Sequence, residues 1–267
     1  MLILPTVKLN IFKTSFIQKS NHIYHNLGYW FMLLMVLAFI GFYTSYLSVI
    51  FQPAIPIIHL HFMLMTLWML MLIAQPFLIK YKKLSIHRVI GKISYGLVPL
   101  VLLSGFLMIR FSYYRDINQL RQDAAQGLNH FSNYQILQRV AGYMGLPFIW
   151  LFWFILFYSL AVINGRKPAI HARFMLATAL SLLGPIVDRI VFKLADLAEK
   201  IRFELVAFLI ADFVLSILLW NDYKNKRSTK ILRTTLLIYI IGQALYFTVP
   251  GTSAWQYFVT LIMKPNP

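Results

Sequence analysis

The chain has 267 residues, of which 60% are hydrophobic and only 12% are charged, and it contains no cysteine. An average soluble domain carries about 25% charged residues, so the composition argues against a soluble domain and indicates an integral membrane protein. The lack of cysteine excludes disulfides and thiolate metal sites, and the net charge of +17 does not indicate nucleic-acid binding, because the bases stand in short stretches between apolar runs.

Seven near-continuous apolar runs predict an all-α, polytopic membrane bundle of seven transmembrane helices. Each run has about the 20 residues that a helix needs to cross about 30 Å of hydrocarbon. The predicted spans are residues 27–50, 55–79, 89–109, 140–163, 170–192, 203–220 and 231–249. We expect spans 2 to 5 to form a four-helix core.

We expect the chain to form one integral-membrane domain. Residues 1–26 are predicted to be a cytoplasmic tail, residues 27–249 the bundle and residues 250–267 an external tail. Within that last tail, residues 252–263 are too few to cross easily and are expected to lie at the interface. The longest polar loop, residues 110–139, is typical of a short amphipathic helix broken at Gly127.

The distribution of charge predicts the orientation. Sixteen of the 25 Lys and Arg residues lie in the N-terminal tail and at the connections between spans 2 and 3, 4 and 5, and 6 and 7. Six of the eight acidic residues lie on or near the other side. Because short cytoplasmic loops are rich in Lys and Arg, the N-terminus is predicted inside and the C-terminus outside. Anionic lipid headgroups at the inner face are the expected partners, and the sequence indicates no particular protein partner.

Span 2 carries a polar stripe. His61, Trp68 and Gln75 are seven residues apart, so they fall on one side of a helix. Polar groups on one stripe of a membrane helix are expected to face protein and not lipid.

A weak internal repeat relates two hairpins. The segment KKLSIH at residues 82–87 aligns with RKPAIH at residues 166–171, at a constant offset of 84. The repeat predicts that His87 and His171 lie at equal depth across a pseudo-two-fold axis.

The inner layer of the bundle is the first candidate site, and it contains His87, Arg88, His171 and Arg173, with His22 and His25 from the tail. Two imidazoles at matched depth are suited to be axial ligands of haem b, with Gly91 leaving room for the porphyrin. The alternatives are that these groups contact an anionic headgroup or anionic substrate, or that they only fix the topology.

The outer layer is the second candidate site. Its residues are His59, His61, Arg110, Arg139, Asp188, Arg189 and Glu204. Imidazoles and carboxylates are ligands for Zn, Fe or Cu. Residues two apart on a regular helix point away from each other, however, so His59 and His61 would share a metal only if the first turn were loosened. The alternative is a set of ion pairs of Asp188 or Glu204 with Arg139 or Arg189.

Asp212 lies in the middle of span 6, where an ionised carboxylate is costly. It is expected to be protonated, paired with a base or hydrogen-bonded to a partner such as Gln243 or Gln75. A functional role and a structural role at a buried seam both remain open.

Several of these residues form a pattern: His59 and His61, then Trp68 and Gln75, then LSIHRVIG at residues 84–91, then Leu103-Ser104-Gly105, and later IHARFMLAT at residues 170–178. This pattern resembles a widespread group of uncharacterised bacterial integral-membrane proteins with His-x-His, Trp, Gln and Leu/Ile-His-Arg-x-x-Gly motifs. More distantly it is similar to cytochrome b561-type and ferric-reductase-like haem proteins. That likeness implies His87 and His171 as inner-haem ligands and His61 as an outer candidate, in a bacterial cytoplasmic membrane.

Three functions follow as hypotheses. The first is a ligand- or cofactor-binding protein, in its sharpest form a b-type haem electron carrier between quinone and a partner. The second is a metal-dependent membrane enzyme acting on a lipid or quinone through His59 and His61. The third is a structural or assembly protein whose histidines have no chemical role.

Overall fold

The computed structural model describes residues 26–52, 55–192 and 202–264, and the predicted tail with His22 and His25 lies outside them. Within these ranges the chain forms ten α-helices and a short 3-10 helix, with no strand. The helices are α1 Leu27–Phe42, α2 Pro56–Lys80, α3 Leu84–Ala125, α4 Asn133–Tyr143, α5 Gly145–Ile163, α6 Pro168–Leu180, α7 Leu183–Phe192, α8 Phe203–Lys224, α9 Lys230–Thr248 and α10 Ser253–Met263.

Six helical segments are long and apolar enough to cross a membrane. They are Pro56–Lys80, Leu84–Ala125, Asn133–Ile163, Pro168–Val191, Phe203–Lys224 and Lys230–Thr248. The prediction of an all-α, multi-pass membrane protein is confirmed.

The helix in the first predicted span is shorter than expected. Helix α1 has 16 residues and ends at Phe42, which at 1.5 Å per residue gives a length of about 24 Å. The chain then turns back, and the hydroxyl of Tyr46 lies 2.7 Å from Nδ1 of His59 in the first turn of α2. Tyr46 also packs on Phe62. These contacts with α2 hold the chain in a turn where the apolar pattern predicts a continuing helix.

The segment predicted as the long polar loop is largely helical. Helix α3 continues through the polar residues to Ala125, for 42 residues in all. The predicted break at Gly127 is confirmed, since this residue has a φ of +74°, a backbone conformation that favours glycine. Helix α4 then begins with a capping box between Ser132 and Gln135.

The C-terminal helix α10 packs against protein. Its residues Val259 and Met263 are buried in a second apolar cluster with α3 and α4. The indole Nε1 of Trp255 donates to the carbonyl of Ala141 in α4 at 2.7 Å. The sequence predicted only that this segment lies at the membrane interface. In the structure its main contact is with α4.

The main apolar core is wider than the four helices of spans 2 to 5. It includes Leu215 of α8 and Tyr239 of α9, both fully buried. The rings of Trp153 and Tyr239 lie 4.3 Å apart between centroids and join α5 to α9.

The connections α2–α3, α5–α6 and α8–α9 meet at one end of the bundle, which we call the basic end. The first residues of α1 lie there as well, since Leu27 and Phe31 line a cavity together with residues of these connections.

Candidate functional site

A large cavity opens among the helices at the basic end. Its volume is about 1490 Å³, and it is bounded by the last turns of α2 and α5, the first turns of α3 and α6, and the α8–α9 connection. Its apolar lining includes Leu27, Phe31, Trp68, Met71 and Leu72. An apolar cavity with a few polar groups is the usual form of a small-molecule site.

Cationic side chains surround this cavity. Seven Lys and Arg residues line it: Lys80, Lys82, Arg88, Lys92, Arg166, Arg173 and Arg227. In the part of the chain that the structure describes, no Asp or Glu is among the lining residues. Charges of one sign beside low-dielectric walls raise the local concentration of oppositely charged ligands.

The two histidines of the predicted inner layer line this same cavity. Nδ1 of His171 lies 2.9 Å from the carbonyl oxygen of Ala161 in α5 and donates to it, because a carbonyl can only accept. This bond leaves Nε2 of His171 free to act as an acceptor or ligand. His87 is half-buried and lies within electrostatic reach of His171.

Gln75 joins α2 to α3 at the level of His87. Its Nε2 donates to the backbone carbonyl of His87 at 3.2 Å. Gly91, one turn further along α3, also faces Gln75, since a Cβ added there would be in ordinary van der Waals contact with Nε2 of Gln75, at 3.9 Å. The predicted stripe on α2 therefore faces protein, and Trp68 on the same stripe is only 1% exposed.

Arg173 lines the cavity but is held by an ion pair that sequence reasoning missed. Its Nε and Nη2 donate to Oδ2 of Asp222 in α8, at 3.0 and 2.5 Å, and its Nη1 donates to the carbonyl of Ala169. Asp222 is fully buried and also lies 3.7 Å from Nη1 of Arg227. The sequence contains one indication of such a pair, because Asp222 is an acidic residue among the Lys and Arg residues of the basic end.

The two histidines of the predicted metal site have different partners. Nδ1 of His59 lies beside the Tyr46 hydroxyl, whereas Nδ1 of His61 lies 3.0 Å from Oγ of Ser104 in α3. Among the described residues, no group of three or more His, Asp or Glu side chains is placed to hold a metal ion. His61 is therefore hydrogen-bonded to Ser104, which belongs to the Ser-Gly motif of α3.

The remaining polar residues of the outer layer make local contacts. Asp188 pairs with its neighbour Arg189, and Glu204 accepts from Nε of Arg202 at 2.7 Å, which raises the pKa of Arg202 above its ordinary value. Arg139 donates to the Tyr143 hydroxyl at 3.1 Å. Asp188 is paired with one of the predicted bases, but the two are consecutive residues of α7 and do not join separate helices. Glu204 has a different partner from those predicted.

Asp212 is hydrogen-bonded to Gln243, one of the two partners suggested from the sequence. Nε2 of Gln243 in α9 donates to its Oδ1 at 3.0 Å. This hydrogen bond joins α8 to α9 on a part of the bundle that does not line the cavity.

Comparisons of this chain with protein-family models, with curated proteins and with solved structures found no match. The resemblance described above therefore depends on the motif residues alone.

Proposed function

We propose that the protein binds an anionic amphiphile in the cavity at the basic end, with the anionic group among the cationic side chains and the apolar chain against Trp68 and Met71. The observation that carries this proposal is the seven Lys and Arg side chains around an apolar cavity of about 1490 Å³ with no acidic lining residue in the described ranges.

The two ends of such a ligand match the two parts of the lining. Arg88 and Lys92 are exposed residues of the first turns of α3, and both line the cavity. Long basic side chains keep their charged ends in the headgroup region while their stems cover apolar surface. Phe31 and Leu72 extend the apolar part away from these charges.

The proposal also covers the orientation of the protein in the membrane. The basic end faces the cytoplasm of a cell membrane, in agreement with the excess of Lys and Arg in its connections. Helix α1 then adds a seventh, shorter crossing, and spans 2 to 5 supply most of the cavity wall. Anionic lipids of the cytoplasmic leaflet would have direct access to the site.

Binding to purified protein in a neutral detergent tests the proposal. We expect a long-chain monoalkyl phosphate to bind more tightly than a phosphocholine of equal chain length. The double variant Arg88→Gln/Lys92→Gln should weaken phosphate binding about 10-fold or more, because each basic group near a headgroup contributes about 1 kcal/mol. The control is Lys230→Gln/Arg233→Gln, which removes two exposed charges of the same end that do not line the cavity.

Two results would count against this function. One is equal binding of the phosphate and the phosphocholine by the unchanged protein. The other is an equal loss of phosphate binding in the two double variants, which would mean that only the net charge of this end matters.

A second candidate is haem b, favoured by the two imidazoles in one cavity. The residues fit the group, since His171 is oriented by Ala161 as axial ligands usually are. A bound haem would supply one-electron transfer. His87 and His171 would hold it, and Arg88 would neutralise its carboxylates.

An absorption spectrum of protein expressed with ample haem tests this candidate. A Soret band that is lost in His87→Ala and His171→Ala, and kept in the exposed control His130→Ala, would support haem binding. A spectrum without a Soret band in the unchanged protein would rule it out. The enzyme and assembly hypotheses have no comparable observation among the described residues.

A further inference from the structure

Three buried polar atoms in residues that line the cavity have no hydrogen-bond partner within the described ranges. They are Nε1 of Trp68, Oε1 of Gln75 and Nδ1 of His87. Buried polar groups in proteins are nearly always hydrogen-bonded, so each such atom requires an explanation. One ligand that bonds to both Trp68 and Gln75 explains two of them.

The hydrogen-bonding role of two of these atoms is fixed. An indole nitrogen can only donate. The amide of Gln75 uses Nε2 to donate to the carbonyl of His87, so its Oε1 remains as an acceptor. Both residues line the cavity, but both atoms are buried, so a ligand bonds to the acceptor of Gln75 and the donor of Trp68 after these side chains turn toward the cavity.

The two atoms lie at different depths from the basic end. Gln75 lies at the level of His87, and His87 is followed in the sequence by the cationic Arg88. Trp68 is seven residues earlier on α2, which places it about 10 Å deeper. A ligand that satisfies both needs a donor beside its anionic group and an acceptor nearer to its apolar chain.

A phosphate diester or an ester carbonyl cannot donate to Gln75, whereas a hydroxyl can. We propose that the ligand is a phosphate amphiphile with a free hydroxyl next to the phosphate and an ester carbonyl beyond it, as in a monoacyl glycerol phosphate. The hydroxyl donates to Oε1 of Gln75, and the carbonyl accepts from Nε1 of Trp68. This inference rests on the proposed function and adds the chemical class of the ligand.

Two probes that differ in one hydroxyl test the inference: 1-palmitoyl-glycerol 3-phosphate and its 2-deoxy analogue. We expect the unchanged protein to bind the hydroxylated probe about five-fold more tightly, the usual effect of one net hydrogen bond. In Gln75→Met, which keeps the length of the side chain but lacks the amide, this preference should disappear while the deoxy probe binds as before. Gln75→Leu is a second variant with the same expectation.

Trp68→Phe and Gln138→Met are the matched comparisons. Trp68→Phe removes the deeper donor and keeps an aromatic ring, so both probes should weaken by the same factor and the hydroxyl preference should remain. Gln138→Met changes a glutamine at the opposite end, where Gln138 contacts Tyr134 and Gln256, and should change neither value.

The outcomes separate this inference from the proposed function. If the unchanged protein binds both probes equally, or if the preference survives in Gln75→Met and Gln75→Leu, the hydroxyl assignment is wrong while phosphate binding stands. If neither probe binds to the unchanged protein, the proposed function fails and this inference fails with it.

Discussion

Arg173 of α6 and Asp222 of α8 form a buried ion pair at the wall of the cavity, with Nη2 of Arg173 2.5 Å from Oδ2 of Asp222. The side chain of Asp222 is 0% exposed and that of Arg173 is 8% exposed. The pair links the predicted inner layer to a helix outside the four-helix core. It also neutralises one of the seven cations around the cavity.

We expect Asp222→Ala to destabilise the protein severely. It leaves Arg173 buried without its carboxylate, and breaking a buried pair from one side costs about 3–5 kcal/mol. The control is Asp116→Ala, which breaks a pair with Arg115, a residue whose side chain is 56% exposed, and should cost about 1 kcal/mol or less. Thermal unfolding in detergent, followed by circular dichroism, measures both. Equal melting temperatures for the two variants would contradict the structural role of Asp222.

Glycine at position 184 is required by the packing of Trp150. A Cβ added there would overlap Cε2 and Nε1 of the indole ring, and Trp150 is 5% exposed. Gly184→Ala should therefore cost about 1–3 kcal/mol through overpacking. Gly96→Ala is the matched control, because nothing lies within 4 Å of its added Cβ, and alanine should stabilise helix α3 there by up to about 1 kcal/mol. The two substitutions should shift the melting temperature in opposite directions, and a shift in the same direction would be evidence against this packing.

Helix α10 should be anchored to α4 by Trp255. Trp255→Phe removes the hydrogen bond to Ala141, for which we expect a local cost of about 1 kcal/mol. Tyr257→Phe on the same helix is the control, since Tyr257 is 73% exposed. Hydrogen exchange followed by mass spectrometry should show faster exchange of α10 and α4 in Trp255→Phe alone. Unchanged protection of both helices would mean that the apolar contacts of Val259 and Met263 suffice.

The lack of cysteine makes the topology directly measurable. Single cysteines at Lys224, an exposed residue of the basic end, and at Gln126, an exposed residue of the opposite end, report the two sides. A membrane-impermeant maleimide should label Gln126→Cys on intact cells, whereas Lys224→Cys should be labelled only after the membrane is permeabilised. The reverse pattern would show that the basic end faces outward, against the positive-inside expectation.

Periodicity and charge predicted much of the site. The spacing of His61, Trp68 and Gln75 placed one face of α2 against protein, as observed. The constant offset between the segments KKLSIH and RKPAIH predicted that His87 and His171 lie at equal depth, and both residues line one cavity. These predictions depend only on the helical repeat and on antiparallel connections between neighbouring helices.

Other features depend on contacts between distant parts of the chain. The sequence shows Asp222 as an acid among the basic residues of this end, but it does not show that its partner is Arg173, which is 49 residues away. The sequence predicted a short amphipathic helix in residues 110–139 but not that it continues α3 to Ala125, with Tyr113 and Ile117 buried four residues apart. The early end of α1 follows from the contact of Tyr46 with α2, and that contact exists only after the two segments have packed.

Photo-crosslinking tests the central claim, an anionic amphiphile in the cavity at the basic end, most directly. A phosphate amphiphile with a diazirine in its apolar chain should label Met71, Leu72 and Met175, which line the cavity, and excess unlabelled alkyl phosphate should suppress this labelling where phosphocholine does not. Labelling confined to Leu209 and Phe213, the 67% and 66% exposed residues of α8, would show that the amphiphile only coats the outside of the bundle, and the account would be wrong.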